Sequence, residues 1–329
     1  MGYGQLRGID LMSTASRVAW INDSYTKMTK YNFFSRVNWG RFSVVAVPYL
    51  WLAIFFFIPF VVVFKISLSE AAIAVPPYSS VLDWNLEEAY ITVKISLSNY
   101  LFLLEDDFYV SAYLSSIKVA AISTFFTLLV AFPIAYLMAR TEGSTRALLL
   151  ALVILPFWTS FLLRVYAWMG LLKKNGLINE TLMSMGLIDQ PLVMMQTDFA
   201  VYIGIVYTYL PFMVLPLYSA LEKMDMTLLE AAEDLGARPY QSFFLVTLPM
   251  AMPGVIAGCL LVFIPAVGEF VIPALLGGSD TLMIGRVLWD EFFLNRDWPM
   301  ASAVAVVMLI ILVLPIMLIR NSQGKEGAA

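Results

Sequence analysis

The sequence predicts an all-α integral membrane protein with six transmembrane helices and both termini in the cytoplasm. Three observations predict it. Hydrophobic residues make up 60% of the 329-residue chain and charged residues 13%, with a mean hydropathy of +0.81. A soluble domain of this size cannot hide that much apolar surface. Six apolar runs recur along the chain, each near or above the roughly 20 residues that a bilayer core requires. Lys and Arg, finally, collect in alternate connecting segments, the usual mark of the cytoplasmic side.

The elements follow in order. Residues 1–43 carry charges throughout and lack an early apolar stretch, so they read as a cytoplasmic tail and not as a signal peptide. The spans are expected near 44–66, 112–139, 147–172, 199–221, 251–276 and 300–319, giving a transmembrane domain over 44–320 and a cytoplasmic tail over 321–329. Ser115, Ser116 and Lys118 dilute the start of the second span. Arg7, Arg17, Lys27, Lys30, Arg36, Arg41, Arg140, Arg146, Lys223, Arg238, Arg320 and Lys325 fall on one side of this topology. Only Lys94, Lys173, Lys174, Arg286 and Arg296 fall on the other. The outer 67–110 loop is acidic, with Glu70, Asp83, Glu87, Glu88, Glu105, Asp106 and Asp107 facing Lys94 alone. Prolines inside most spans, such as Pro48, Pro133, Pro156, Pro211 and Pro265, remove backbone donors and bend helices, which suits a transporter better than a plain anchor.

Composition also excludes functions. The net charge of −4 with no basic patch argues against nucleic-acid binding. The absence of histidine removes His-based acid–base relays and the commonest metal ligand, so neither a metal site nor most intramembrane enzyme chemistry is expected. Cys259 has no partner for a disulfide and reads as a packing residue. The remaining rival to a driven transporter is a passive channel.

One polar segment separates the fourth and fifth spans: LLEAAEDLGARPYQSFFLVTLP, Leu228 to Pro249. Thr227 and Glu230 are spaced as a capping box. Ala231, Ala232 and Leu235 make a smooth apolar side, Gly236 suits a left-handed stop, and Pro239 prevents continuation. A second amphipathic turn follows with Phe243, Phe244 and Leu248. The segment 227–249 therefore reads as helix, turn and helix on the cytoplasmic face, a stiff lever on which a soluble partner can push. Glu230, Glu233, Asp234 and Arg238 supply rim charges for orientation.

The spacing Glu230-Ala231-Ala232, three residues, Gly236, nine residues, Val246, one residue, Leu248-Pro249 resembles the EAA motif of ABC-importer permeases, with valine where the usual form has isoleucine. The stretches PYLWLAIFFFIPFVVVFKISLSE, LPFWTSFLLRVYAWMGLLKKNG, VYIGIVYTYLPFMVLPLYSAL and VFIPAVGEFVIPALLGG are similar to the polyamine-importer permeases. MIGRVLWDEFFLNRDWPMASAVA is similar to the putrescine permease subunit. The resemblance covers about 44–320 and implies a type I ABC-importer permease fold in a bacterial inner membrane. It implies that Glu230, Ala231, Ala232 and Gly236, with Arg238 beside them, couple the chain to a separate ATPase. It further implies a homologous second permease, two ATPase subunits and a periplasmic polyamine-binding protein, with putrescine as cargo and spermidine or another cation as the alternative. The chain's one Gly-Lys pair, Gly324-Lys325, is followed by Glu326, so there is no P-loop. No cofactor is expected on this chain, and ATP with Mg²⁺ belongs to the partner ATPases.

A polyamine carries separated ammonium groups on an apolar chain and calls for carboxylates and aromatic faces. Charges inside spans are costly and are functional candidates by default. Glu269 is the first, expected about 18 residues into the fifth span, about 27 Å along an unbroken helix, with a structural ion pair to Arg164 as the alternative. Asp198, at the outer mouth of the fourth span, is the second. Trp158, Tyr207 and Tyr209, each close to a proline in a span, are the aromatic candidates for the path.

Overall fold

The computed structural model describes residues 39–85, 90–279 and 281–326. Most of the N-terminal tail expected over 1–43 lies outside them, as do Glu87 and Glu88 of the acidic loop and residues 327–329. The chain divides into two units, one up to Val62 and the other from Val63 onward. The first unit contributes most of a helix, α1, that runs over 39–67 and holds the span Ser43–Ser67, of mean hydropathy 2.4.

A π turn, Ala53–Phe57, interrupts α1, and Ile58 N–H reaches back to Ala53 O. The next residue is Pro59. A proline ring collides with the carbonyl four residues earlier and offers no N–H, so one widened turn before it relieves the helix. The same arrangement recurs at the π turn Phe243–Thr247, where Leu248 N–H reaches Phe243 O and Pro249 follows.

Within the second unit, an antiparallel hairpin of β1 (Leu82–Asn85) and β2 (Tyr90–Val93) and a short helix α2 (Ser98–Glu105) occupy the acidic loop. The hairpin is an addition to the all-helical expectation, which otherwise holds. Asn99 is buried and donates to Ser67 O at 3.0 Å and Ser69 O at 2.9 Å, fixing α2 to the end of α1. Asp106 then accepts from Phe108 N at 2.9 Å and caps α3 (Asp107–Arg140). This cap explains why the second span starts earlier than the expected residue 112. Ser116, which dilutes that start in sequence, is buried and accepts the Ile284 N–H at 2.7 Å.

The third span departs from expectation. Instead of one helix over 147–172 there is a bent pair, 143–158 and 161–184, meeting at 93°. α4 (Gly143–Ile154) tightens into a 3₁₀ turn, Leu155–Trp158, at Pro156; Thr159 then takes extended backbone and α5 (Phe161–Leu172) restarts after Ser160. Past α6 (Leu177–Ser184), the buried Asn179 holds the returning loop through Leu192 O and Leu192 N, at 3.0 and 2.9 Å.

α7 (Asp198–Glu222) agrees with the expected fourth span. It packs against α3 and α10 (Leu248–Val267), and close approach there is set by glycine. A Cβ on Gly258 would lie 2.6 Å from Met213 Sδ, and one on Gly254 would lie 2.7 Å from Pro216 O. Ala131, Ala135, Met138, Val214 and Leu217 fill the core on the side of the 222–248 segment, and Ile205, Ile272, Ile284 and Val304 on the other.

The fifth span is corrected as well. A continuous helix over 251–276 is not present: the helix ends at Val267, breaks over 268–270 and restarts as α11 (Val271–Leu276). α12 (Ile284–Trp289) and a π turn, Asp290–Leu294, lead to α13 (Trp298–Glu326), which contains the expected sixth span. Among the described residues four helices are long and apolar enough to cross a membrane, five if the bent pair is one span, and Trp298–Val313 is a shorter apolar helix.

Candidate functional site

The first candidate region is the segment between α7 and α10. Helix α8 (Thr227–Asp234) is one residue off the expected cap: Asp225 Oδ1 accepts the Thr227 N–H at 3.0 Å, so Thr227 sits inside the first turn and does not itself cap. The other end forms as expected. Gly236 has φ +83°, the Ala237 N–H reaches Ala232 O at 3.0 Å and the Gly236 N–H reaches Glu233 O at 2.8 Å, a Schellman-type closure. The Arg238 N–H then donates to Gln241 Oε1 at 2.8 Å, and Pro239 opens the four-residue helix α9 (Pro239–Ser242). The π turn Phe243–Thr247 joins this helix directly to α10, so the segment passes into the span without a loop.

No side chain of α8 is buried. Leu228, Ala231 and Leu235 fall at i, i+3 and i+7 and form one exposed apolar stripe, with Leu235 89% exposed. Ala232, at i+4 from Leu228, is half-buried along the edge of the same face. Glu230, Glu233 and Asp234 rim the stripe and are exposed. This open apolar stripe, on a helix closed at both ends, is the candidate contact surface of the segment.

The second candidate region is the break at 268–270. Glu269 is 8% exposed. Its Oε1 accepts from Val271 N at 3.0 Å and Ile272 N at 3.4 Å, the free donors that open α11. Its Oε2 accepts from the Tyr209 hydroxyl at 2.6 Å. The carboxylate therefore fastens the break to the middle of α7. Arg164 is not its partner: the guanidinium lies over the rings of Phe157 and Phe161, at 5.7 and 5.9 Å. Its Nε and Nη1 have no hydrogen-bond partner among the described residues.

Of the sequence-expected path residues, only Glu269 and Tyr209 touch. Tyr207 packs edge-on against Trp168, ring centroids 5.5 Å apart. Asp198 sits in the first turn of α7 and accepts from Thr281 Oγ1 at 2.7 Å. Trp158 stands at the elbow of the bent pair, 83% exposed. Sequence reasoning missed a polar cleft of about 370 Å³, lined in part by Thr281, Arg286, Asp290, Glu291 and Asn295. Glu291 is held there by Tyr109 Oη at 2.8 Å and Asn295 Nδ2 at 2.9 Å. Asp290 and Glu291, between the fifth and sixth spans, were the available signal, but only the folding of that connection brings Glu291 to Tyr109 and both acids beside Thr281.

Comparison with known proteins agrees with this arrangement. The chain is 40% identical to the spermidine/putrescine transport system permease protein PotB of Haemophilus influenzae, over 82% of this chain and 89% of that one. It is 43% identical to PotB of Escherichia coli, over 69% and 82%. Its fold matches, at a TM-score of 0.61 and 15% identity, a chain of a bacterial ABC transporter that imports the acidic polysaccharide alginate, covering 86% of this chain and 96% of that one. Residues 33–323 match the model of the binding-protein-dependent transport system inner membrane component. On that match and these relatives the chain is a transport subunit and not an enzyme, and it belongs to the family of binding-protein-dependent transport system inner membrane components.

Proposed function

We propose that this chain is a permease subunit of an ATP-driven polyamine importer whose cargo is putrescine. It works with a homologous second permease subunit, two ATPase subunits and a periplasmic polyamine-binding protein. Residues 44–320 form the permease domain, and the tails 1–43 and 321–329 lie in the cytoplasm. The observation that carries the proposal is the exposed stripe Leu228, Ala231, Leu235 on a helix stopped by Gly236 and continuous with α10. The printed names of the PotB relatives supply the cargo class.

ATP and Mg²⁺ act at the partner ATPases, since this chain has no P-loop. Closure of those subunits on ATP moves the 227–249 lever, with Glu230, Ala231, Ala232, Gly236 and Arg238 at the contact. The bent spans then alternate access around the membrane midplane. Glu269, Asp198, Trp158, Tyr207 and Tyr209 are assigned to the path. A diammonium chain is suited to carboxylates that already hold fixed geometry and to aromatic faces.

Uptake of labelled putrescine, with unlabelled spermidine as competitor, tests the proposal in cells expressing the chain with its neighbouring subunits. Putrescine accumulation that needs ATP and resists equimolar spermidine supports it. Accumulation abolished by equimolar spermidine would move the cargo to spermidine, a reading favoured by the two polyamines named for the relatives. Uptake that persists without any ATPase subunit would instead identify a passive channel.

A further inference from the structure

A second surface of the molecule has the shape and charge for a ligand of another kind. An apolar groove of about 490 Å³ runs between α3 and the π turn at the head of α10, lined by Phe125, Leu129, Phe132, Tyr136, Phe243 and Leu248, among others. Phe132 and Phe243 meet edge to face across it, 5.2 Å between centroids. From Phe125 to Tyr136 is eleven residues, about 16 Å of helix, the depth of one leaflet of a hydrocarbon core about 30 Å thick. Arg140 follows one turn later, where headgroups begin.

The Arg140 guanidinium lies over the Tyr136 ring, 4.7 Å from its centroid. Its Nη2 is covered and has no hydrogen-bond acceptor among the described residues, and no described carboxylate pairs with it. The neighbouring Arg146 is already engaged by Glu222 at 2.7 Å. An unpaired guanidinium beside an apolar surface is costly and favours an oxyanion that reaches its remaining donors. We propose that this groove holds an acyl chain of an anionic phospholipid from the leaflet facing the 227–249 segment, with the headgroup phosphate on Arg140. Charge and depth agree on that occupant: a purely apolar helix would leave the arginine unpaired, whereas a phosphate ends at the level where the groove ends.

The test is native mass spectrometry of the full chain, with whatever subunits it retains, after delipidation and titration with vesicles of phosphatidylglycerol or phosphatidylethanolamine. Melting curves of each variant accompany it. Retention of phosphatidylglycerol should exceed that of phosphatidylethanolamine. Arg140→Gln should lower phosphatidylglycerol retention about tenfold, the value of one charge-assisted contact, and phosphatidylethanolamine retention by less, since the ammonium of that headgroup already offsets its phosphate. Arg140→Lys should recover part of the loss. Leu129→Trp should fill the groove and lower retention of both lipids. Equal retention of phosphatidylglycerol by the parent and Arg140→Gln overturns the proposal. So does a Leu129→Cys chain that cross-links to another subunit while no lipid is retained, because the groove is then a protein interface. Uptake is not the readout, so this outcome is independent of the cargo.

Discussion

Replacing Glu269 by glutamine keeps the size of the side chain, removes its charge and turns one acceptor into a donor. In the structure the carboxylate receives a 2.6 Å bond from Tyr209, a 3.0 Å bond from Val271 N and a 3.4 Å contact from Ile272 N. Hydrogen bonds to a charged acceptor are worth about 1.5–3 kcal/mol and neutral ones about 0.5–1.5. The two short bonds therefore lose about 1 kcal/mol each, and the long one adds little. Glu269→Gln should destabilise the chain by about 2 kcal/mol, a fall in Tm of about 4–8 °C for a unit of this size, measured by thermal unfolding in detergent. Because Tyr209→Phe removes the same bond from the other side, the double variant should fall short of the sum of the singles by about 1 kcal/mol. Under the proposed function, the KM for putrescine uptake should also rise about tenfold, one lost cationic contact. A Tm within 1 °C of the parent (well below the ~2 kcal/mol expectation) together with strict additivity would refute the structural reasoning. Unaltered uptake kinetics in a destabilised Glu269→Gln chain would remove Glu269 from the path and leave it as a fastening alone.

Three further substitutions test other parts of the molecule. Gly236→Val forces a β-branched residue to φ +83°, where a Cβ meets no atom within 4 Å. The cost is therefore about 1–2 kcal/mol of backbone strain, and immunoblots should show normal membrane levels while uptake is lost; normal uptake would count against the lever. Gly258→Leu must push Met213 aside, 2.6 Å from the new Cβ, so α7 and α10 part and stability should fall by at least about 1–3 kcal/mol in detergent melts. Asn99→Ala orphans the Ser67 and Ser69 carbonyls, and hydrogen exchange over 67–105 should rise with a local loss of about 1–3 kcal/mol.

Long apolar runs were legible, because a bilayer asks only for length and hydrophobicity. The spans at 44–66 and 199–221 fall within a residue of the helices Ser43–Ser67 and Asp198–Glu222. The breaks were not. Pro156 announces a disturbance in the third span, but only packing decides whether a proline bends a helix slightly or turns the chain by 93°. In the fifth span Glu269 was singled out for its charge, whereas its position depends on the helix stopping at Val267 so that the carboxylate can cap the next one. The Gly236 stop was readable because a left-handed residue has few sequence solutions. Its opposite end was misjudged by one residue, since Asp225 accepts the N–H of Thr227 itself and Thr227 falls inside the first turn, not at the cap. Which aromatics gather around Glu269 was beyond the sequence, because each helix presents several and periodicity does not reveal azimuth. Tyr209 meets the carboxylate while Tyr207, two residues away, turns to Trp168.

The widened turn at Phe243–Thr247 has a mechanical meaning. A helix advances its side chains by about 100° per residue, so one surplus residue re-indexes everything upstream about the axis while leaving the bundle downstream in place. The bearing of the 239–242 helix is thereby decoupled from the phase of α10, like a spline cut between two shafts. A chain shortened by one residue within that turn should keep its membrane core and point its handle in the wrong direction.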